Sequence, residues 1–173
     1  MIPERLAQAD PRLIALLRVW QAARQGDLVP RRGRFDPFSV PKLMPNLWLY
    51  RYDAERGDFV CRLAGEDVNR AWGRPIRGLT LREIVGEADH AAILERWHGI
   101  LETPLIHYGT DRERLTALSL HRAERLLLPL ADDASPHAVN QVLGASVYRL
   151  DPPEDTRPAL YPEDIVRIPC SEI

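Results

Sequence analysis

Apolar residues recur at helical spacing near the start of the chain and at strand spacing further on. The apolar positions of the first stripe are Leu13, Leu16, Leu17 and Trp20. Asp10 can cap a helix and Pro11 suits its first position, where a missing N–H costs nothing. The pattern therefore predicts a helix that ends near Gly26. Its apolar face lies either on its own domain or against a second copy or partner.

Residues 27–46 are rich in proline and arginine and form a lead-in to the first strand. Pro41 and Pro45 prevent a long helix, so we expect one or two short turns here. These turns should place the larger apolar side chains against the core. Those side chains are Phe35, Phe38, Val40, Leu43 and Met44.

A hairpin and three helices are predicted next. Residues 47–53 and 58–64 are two strands, and Gly57 can take the positive φ of the turn between them. A short helix opens at Glu66. Thr80 and Glu83 have the spacing of a capping box, which predicts a second short helix. The third and longest runs from Asp89 to about residue 101, with His90 on its apolar face.

Residues 105–150 predict three further strands, the middle one long, and the pattern over the whole chain is α+β. We expect a five-stranded antiparallel sheet, with the short helices covering one face and a pocket between them. The predicted divisions are an N-terminal helix and lead-in at 1–46, a domain at 47–150 and a tail at 151–173. The tail is rich in proline and acidic residues, so we expect it to lie on the surface or to be partly disordered.

Composition excludes several classes of protein. The formal net charge of −2 over 173 residues argues against a nucleic-acid-binding surface. No apolar run approaches the roughly 20 residues that span a bilayer. The two cysteines, Cys61 and Cys170, do not make a disulfide framework, and reduced thiols in a cytoplasm are the simpler interpretation.

Three segments of the sequence resemble a PAS domain, and more narrowly a family of short bacterial PAS-type proteins. They are FDPFSVPKLMPNLWLYRYD, DFVCRLAGEDVNRAWGRPIRGLTLREI, and ERLLLPLADD followed by VLGASVYRL. The resemblance covers about residues 10–150 and implies a sensing or interaction module. Some PAS domains hold haem, flavin or small metabolites between sheet and helices, and many act by dimerising. No output segment is visible after the domain, so we expect a signal to pass by docking on another protein.

The sequence does not identify a cofactor. Some flavin-binding PAS photoreceptors carry a cysteine in one helix, but no cysteine lies near Asn69, so the resemblance does not favour covalent flavin chemistry. Haem-binding PAS domains can use a histidine of the long helix as the iron ligand, which makes His90 and His98 candidates. The alternative for both is a hydrogen-bonded or half-exposed side chain.

If a small molecule binds, we expect its pocket to be lined by the inward apolar positions of the helices and by the strand that follows them. These residues are Leu63, Val68, Trp72, Ile84, Leu94, Trp97 and His107. A bulky substitution such as Ala71→Trp should abolish binding there. His107 and His121, with Asp111 and Glu113, are a second candidate, for metal or acid–base chemistry.

The favoured hypothesis is a stand-alone regulator that binds a small molecule or a protein partner and signals by a population shift. We expect a homodimer through the N-terminal helix. The alternative is a ligand-free dimerisation or scaffold module. An enzyme on a similar fold is not favoured, because no His-Glu-x-x-His spacing is present and Ser119 and Ser146 lack the surroundings of a nucleophile.

Overall fold

The computed structural model describes residues 2–116, 119–135, 137–150 and 165–173, but not the side chains of 110–122, 149 and 150. The α-helices are α1 (Pro11–Ala23), α2 (Glu66–Ala71), α3 (Leu81–Val85) and α4 (Glu87–Glu102). The strands are β1 (Leu47–Asp53), β2 (Asp58–Ala64), β3 (Leu105–Thr116), β4 (Ser119–Ala131), β5 (Val139–Leu150) and β6 (Ile165–Pro169). No helix in these ranges is both long enough and apolar enough to cross a membrane.

The strands form one antiparallel sheet in the order β2-β1-β5-β4-β3-β6. The predicted α+β class is therefore confirmed. The expected count of five strands is wrong by one, because β6 comes from the predicted tail and pairs with β3. Cys170 directly after it is fully buried, so the expected surface position is wrong for this part of the tail. The division at residues 46 and 150 stays a prediction.

Helix α1 begins where the sequence predicts. The Asp10 carboxylate accepts a hydrogen bond from the Arg12 backbone N–H at 2.9 Å, and Pro11 is the first helical residue. The apolar stripe is buried against the chain's own sheet. Its Trp20 indole donates to the Pro129 carbonyl of β4 at 2.8 Å. The stripe is thus used within the domain, the first of its two predicted uses.

The lead-in forms three short 3-10 turns, at Arg32–Arg34, Pro37–Ser39 and Pro41–Asn46, one more than expected. The prolines exclude a long helix there, as predicted. Its larger apolar side chains pack on the same core as α1, with one exception. Phe38 is 72% exposed, so its predicted burial is wrong. It lies in a single turn between Phe35 and Val40, whose side chains occupy the core on either side.

The two faces of the sheet carry different cores. The face under α1 and the lead-in, which we call the aliphatic face, presents mostly leucine, isoleucine, valine and alanine. The face under α2, α3 and α4, which we call the aromatic face, presents rings. Its core residues from the strands include Trp48, Tyr50, Phe59, Cys61, Leu127 and Val142. Helices thus cover both faces, whereas the prediction described a covering on one face and a flanking helix.

A β-bulge at Arg62 changes the faces of β2. Leu49 pairs with Leu63, and the next residue of β1, Tyr50, pairs with Cys61. Arg62 is the extra residue, so the alternation of side chains shifts by one. Cys61 belongs to the aromatic face and Leu63 packs on the aliphatic face. Regular alternation along the strand would have placed both side chains on one face.

Candidate functional site

Aromatic rings fill the part of the aromatic face formed by β1, β2 and α4. Trp48 stacks on Trp97 with ring centroids 5.3 Å apart, and Tyr50 and Phe59 meet Trp97 edge-on. The Trp48 ring lies directly over Gly144 of β5, where an added Cβ would come within 2.1 Å of the indole. The glycine therefore makes room for the tryptophan.

The structure brings some of the predicted ligand residues together but not all. Val68, Ile84 and Trp97 are buried in the core of the aromatic face, and Trp72 and Leu94 pack against it. Leu63 is apart from them on the aliphatic face. A role for these residues in ligand binding stays a prediction.

His107 lies on β3, directly opposite Leu127, and so faces the same side of the sheet as the aromatic core. Only 3% of the residue is exposed. Burial lowers the pKa of the imidazole to about 3, helped by the charges of Arg96, Arg167 and Arg125. The ring is therefore neutral at physiological pH. Its Nδ1 is buried with no hydrogen-bond partner among the described residues.

Arg125 and Ser146 are a buried polar pair beside His107 on the same face. The Arg125 Nε donates to the Ser146 hydroxyl oxygen at 3.1 Å, and the Trp48 indole N–H donates to it at 2.9 Å. The Asn46 amide donates to the Ser146 carbonyl at 3.0 Å. We call Asn46, Ser146, Arg125 and His107 the polar tract. It crosses β5, β4 and β3, a span of roughly 10 Å.

Sequence reasoning missed the two central residues of the tract. A strand period of two, counted back from the buried Leu127, places Arg125 on the covered face. That signal was available in the sequence. The sequence contains no comparably strong signal for Ser146, because small residues are common on either side of a strand.

A cleft of about 450 Å³ opens between α2 and β5. Its lining residues are Arg12, Asn46, Asp67, Arg70, Ala71, Val147 and Tyr148. Ion pairs balance the charges at its rim, with Arg70 3.0 Å from Asp67 and Arg12 2.8 Å from Asp10. Asn46 belongs both to the cleft and to the polar tract, so the cleft reaches the outer end of the tract. Ala71, singled out from the sequence, lies in its wall.

The two histidines proposed as haem ligands have other partners. His90 is buried, and its Nε2 lies 3.0 Å from Asp58 Oδ1. The Asp58 carboxylate also accepts from the Arg82 backbone N–H at 3.1 Å, which ties β2 to α3 and α4. The His98 ring packs edge-on against Tyr52 with centroids 4.6 Å apart. These contacts favour the hydrogen-bonded and half-exposed alternatives over iron ligation.

The second candidate, for metal or acid–base chemistry, falls largely outside the described side chains, which exclude those of Asp111, Glu113 and His121. Within the described part of the chain, no three His, Cys, Asp or Glu side chains group closely enough to hold a metal ion. Burial raises the pKa of the Cys61 and Cys170 thiols, to about 11 and about 12. Both are free, and they belong to opposite faces of the sheet.

The chain is similar to two solved structures and to one family model. A solved structure of a single-substitution RsLOV variant shares 17% identity at a TM-score of 0.45, over 65% of this chain and 64% of that one. The RsLOV d2 variant shares 14% identity at a TM-score of 0.44, over 87% of this chain and 72% of that one. No curated protein matches the sequence. A family model described as a PAS domain matches residues 9–147, which is most of the chain. The chain therefore belongs to the PAS domain family.

Proposed function

We propose that this chain is a regulatory PAS module that binds a small polar molecule along the polar tract, entering from the α2–β5 cleft. The observation that carries the proposal is the buried His107 imidazole, whose Nδ1 has no hydrogen-bond partner in the described part of the chain. Membership of the PAS family supports a sensory or regulatory role in general. The role is regulatory and not catalytic, and the two thiols fit a cytoplasmic location.

An unpartnered buried polar atom destabilises a fold by about 1–3 kcal/mol. A ligand that hydrogen-bonds to the His107 Nδ1 removes that penalty, so the site favours a polar occupant over an apolar one. The neighbouring Arg125 and Ser146 are held in place by their mutual hydrogen bond. Such pre-positioned polar groups at the end of an apolar core are typical of small-molecule sites.

The site contacts elements that a ligand can move. Asn46 lies 3.4 Å from Asp67 of α2 and is hydrogen-bonded to β5, so it joins a short helix to the sheet. Arg96 of α4 acts on His107 through its charge. A bound molecule that favours one placement of α2 and α4 over another shifts the population of conformations presented to a partner.

Substitution in the cleft wall tests the proposal. Native mass spectrometry of the purified protein shows whether a small molecule co-purifies, and thermal-shift screening with polar metabolites finds binders. Ala71→Trp fills the cleft, so binding should be lost. Ala15→Trp is the matched control, because Ala15 is exposed on α1, outside the cleft. Equal binding by both variants and the unmodified chain would refute the placement of the site.

A ligand-free dimerisation module is the second candidate, and the ring packing on the aromatic face favours it. Trp48, Trp97, Tyr50 and Phe59 pack against one another as a filled core does. On this proposal a homodimer would use the outer surface of α1, since the apolar stripe is already buried. A dimer with no bound mass in native mass spectrometry, and no binder in the screen, supports this candidate against the first.

A further inference from the structure

We infer that the small molecule that enters the α2–β5 cleft carries a carboxamide or lactam group, and that its N–H donates a hydrogen bond to the side-chain oxygen of Asn46. The inference rests on the proposed small-molecule site and specifies the chemical group bound at its entrance. The observation behind it is a nearly buried side-chain amide in the cleft wall, whose nitrogen is engaged by the fold and whose oxygen is open to the cleft.

The contacts of the Asn46 nitrogen fix the orientation of its side-chain amide. Nδ2 lies 3.0 Å from the Ser146 carbonyl oxygen and 3.4 Å from Asp67 Oδ2. A carbonyl oxygen can only accept a hydrogen bond, and so can an ionised carboxylate. The N–H groups must therefore face these two atoms, because the amide oxygen in their place would meet acceptors only. Oδ1 is consequently the atom that faces away from both.

The Asn46 oxygen is an acceptor that the fold leaves unused. No residue in the described part of the chain donates to Oδ1. Asn46 is only 5% exposed, yet it lines the cleft. Unlike the His107 Nδ1, its oxygen is not closed off from solvent. The cleft is therefore the place from which a donor reaches this oxygen.

The charges in the cleft wall favour a neutral ligand. Both arginines of the wall are already paired, Arg12 with Asp10 at 2.8 Å and Arg70 with Asp67 at 3.0 Å. Burying a further charge beside them is costly unless it finds its own partner, whereas a neutral amide needs only hydrogen bonds. Apolar side chains complete the wall, and the volume of about 450 Å³ lies in the range of small-molecule sites.

The arginines at the rim can meet the carbonyl of the same ligand group. A guanidinium carries five N–H donors. Arg12 uses Nε and Nη2 on one carboxylate, and Arg70 uses Nη1 and Nη2 on two, so each keeps further N–H donors. The two side chains are 41% and 70% exposed, whereas Asn46 is nearly buried. A bound amide would thus direct its N–H inward to Asn46 and its carbonyl outward to a guanidinium.

A matched pair of probes tests the inference on the unmodified protein. The lactam δ-valerolactam and the ketone cyclohexanone share a ring and a carbonyl, but the ketone has a methylene group where the lactam has N–H. Titration followed by NMR chemical shifts measures both affinities, and we expect the lactam to bind about fivefold more tightly. Protonated piperidine, which has N–H donors and a charge but no carbonyl, should also bind more weakly than the lactam. Equal or tighter binding of the ketone or of piperidinium would overturn the inference.

Asn46→Ala identifies the acceptor. The affinities for the lactam and the ketone should come within about twofold of each other, because the oxygen that distinguishes them is removed. A purely structural effect of the substitution would weaken both probes alike and leave their ratio unchanged. Asn140→Ala is the matched control, since it removes a side-chain amide that is bonded to Asp132 at 3.1 Å near the other end of β5. The control should keep the ratio of about fivefold, and the same ratio in Asn46→Ala would contradict the assignment.

Failure of the inference and failure of the proposed function can be told apart. If a molecule co-purifies in native mass spectrometry but the lactam has no advantage over the ketone, the chemical class is wrong and the small-molecule site stands. If none of the three probes binds and no mass co-purifies, both the amide inference and the small-molecule function are wrong.

Discussion

The two faces of the sheet are built differently. The aliphatic face is covered by α1, a capped helix of 13 residues, and by the proline-rich lead-in. The aromatic face is covered in part by α2 and α3, of six and five residues, and its core continues into the buried polar tract. The first face has the composition of a structural core. The second combines short helices with buried polar groups, which is where a ligand could change the structure.

Strand β4 shows the contrast within a few residues. Leu126 and Leu128 pack on the aliphatic face, while Leu127 and Arg125 face the other way, Leu127 with the rings and Arg125 with Ser146. The same strand therefore supplies a stability layer on one side and the polar tract on the other. Substitutions on its two sides should have separable effects.

The largest expected effect comes from removing a leucine on the aliphatic face. Leu128→Ala should lower the free energy of unfolding by about 3–5 kcal/mol, because the side chain is fully buried under α1. Leu127→Ala is the matched substitution on the opposite face. It should cost about 2 kcal/mol, the low end of the range for such a change, because Leu127 lies opposite His107, where the apolar core meets the polar tract. Urea denaturation measures both.

An equal or larger cost for Leu127→Ala would show that the aromatic face is packed as rigidly as the aliphatic one. The contrast between the faces would then be wrong. Ligand binding is the second readout: Leu128→Ala should leave it intact at temperatures where the variant is folded, whereas Leu127→Ala should weaken it, because Leu127 pairs directly with His107.

The substitution with the next largest expected effect tests the ring packing. Gly144→Ala should destabilise the fold by about 2–3 kcal/mol, because the new Cβ would lie 2.1 Å from the Trp48 indole. Gly99→Ala makes the same chemical change in α4, where an added Cβ meets no atom within 4 Å. It should stabilise the protein by about 0.5–1 kcal/mol, since glycine is a poor helix former.

A double substitution identifies the cause. Trp48→Leu removes the ring that the Gly144→Ala methyl group would strike, so the second change should cost much less in that background. If Gly144→Ala is as costly with leucine at position 48 as with tryptophan, then the clash does not explain the glycine.

The sequence predicted the parts of the fold that local chemistry determines. The Asp10–Pro11 helix start, the turn at Gly57 and the Thr80–Glu83 capping box are all present, because each depends on residues a few positions apart. The bulge at Arg62 could not be predicted, since it depends on the register with β1. Strand β6 could not either, because its five residues form a strand only through pairing with the distant β3.

The candidate site divides in the same way. His107 was expected from its place after the long helix, and the structure finds it buried on the aromatic face. Arg125 was not expected in the site, because a charged residue in a strand is ordinarily assigned to the solvent-facing side. Its burial depends on Ser146, which comes from another strand 21 residues away. Sequence reasoning therefore reached one end of the tract and missed its middle.

The pH dependence of stability is the third expected effect. Burial holds the pKa of His107 near 3, against an ordinary value of 6.5, so the unfolded chain takes up a proton that the folded chain does not. Stability is unaffected by this group above pH 6.5 and falls as the pH drops towards 3. The loss between pH 7 and pH 5 should be about 2 kcal/mol.

His107→Gln provides the comparison, because the other four histidines remain and only this titration is removed. From pH 7 to pH 5, the unfolding free energy of the unmodified chain should fall by about 2 kcal/mol more than that of His107→Gln. Urea denaturation at each pH measures both values. Parallel pH profiles would show that His107 is not held neutral. The proposed site would then lack the buried neutral imidazole on which it depends.

The smallest expected effect compares the helix caps of the two faces. Thr80→Ala removes the hydroxyl that accepts from the Glu83 backbone N–H at 3.2 Å and should cost about 1 kcal/mol. Asp10→Ala uncaps α1 at a similar cost.

The consequences for helix opening should differ, because α1 is fixed along its length by buried leucines, whereas α3 has only five residues. Amide exchange at 81–85 should therefore rise about fivefold in Thr80→Ala, with little change within α1 in Asp10→Ala. Equal loosening of both helices would mean that the helices over the aromatic face open no more easily than α1, and a ligand would then have no softer element to move.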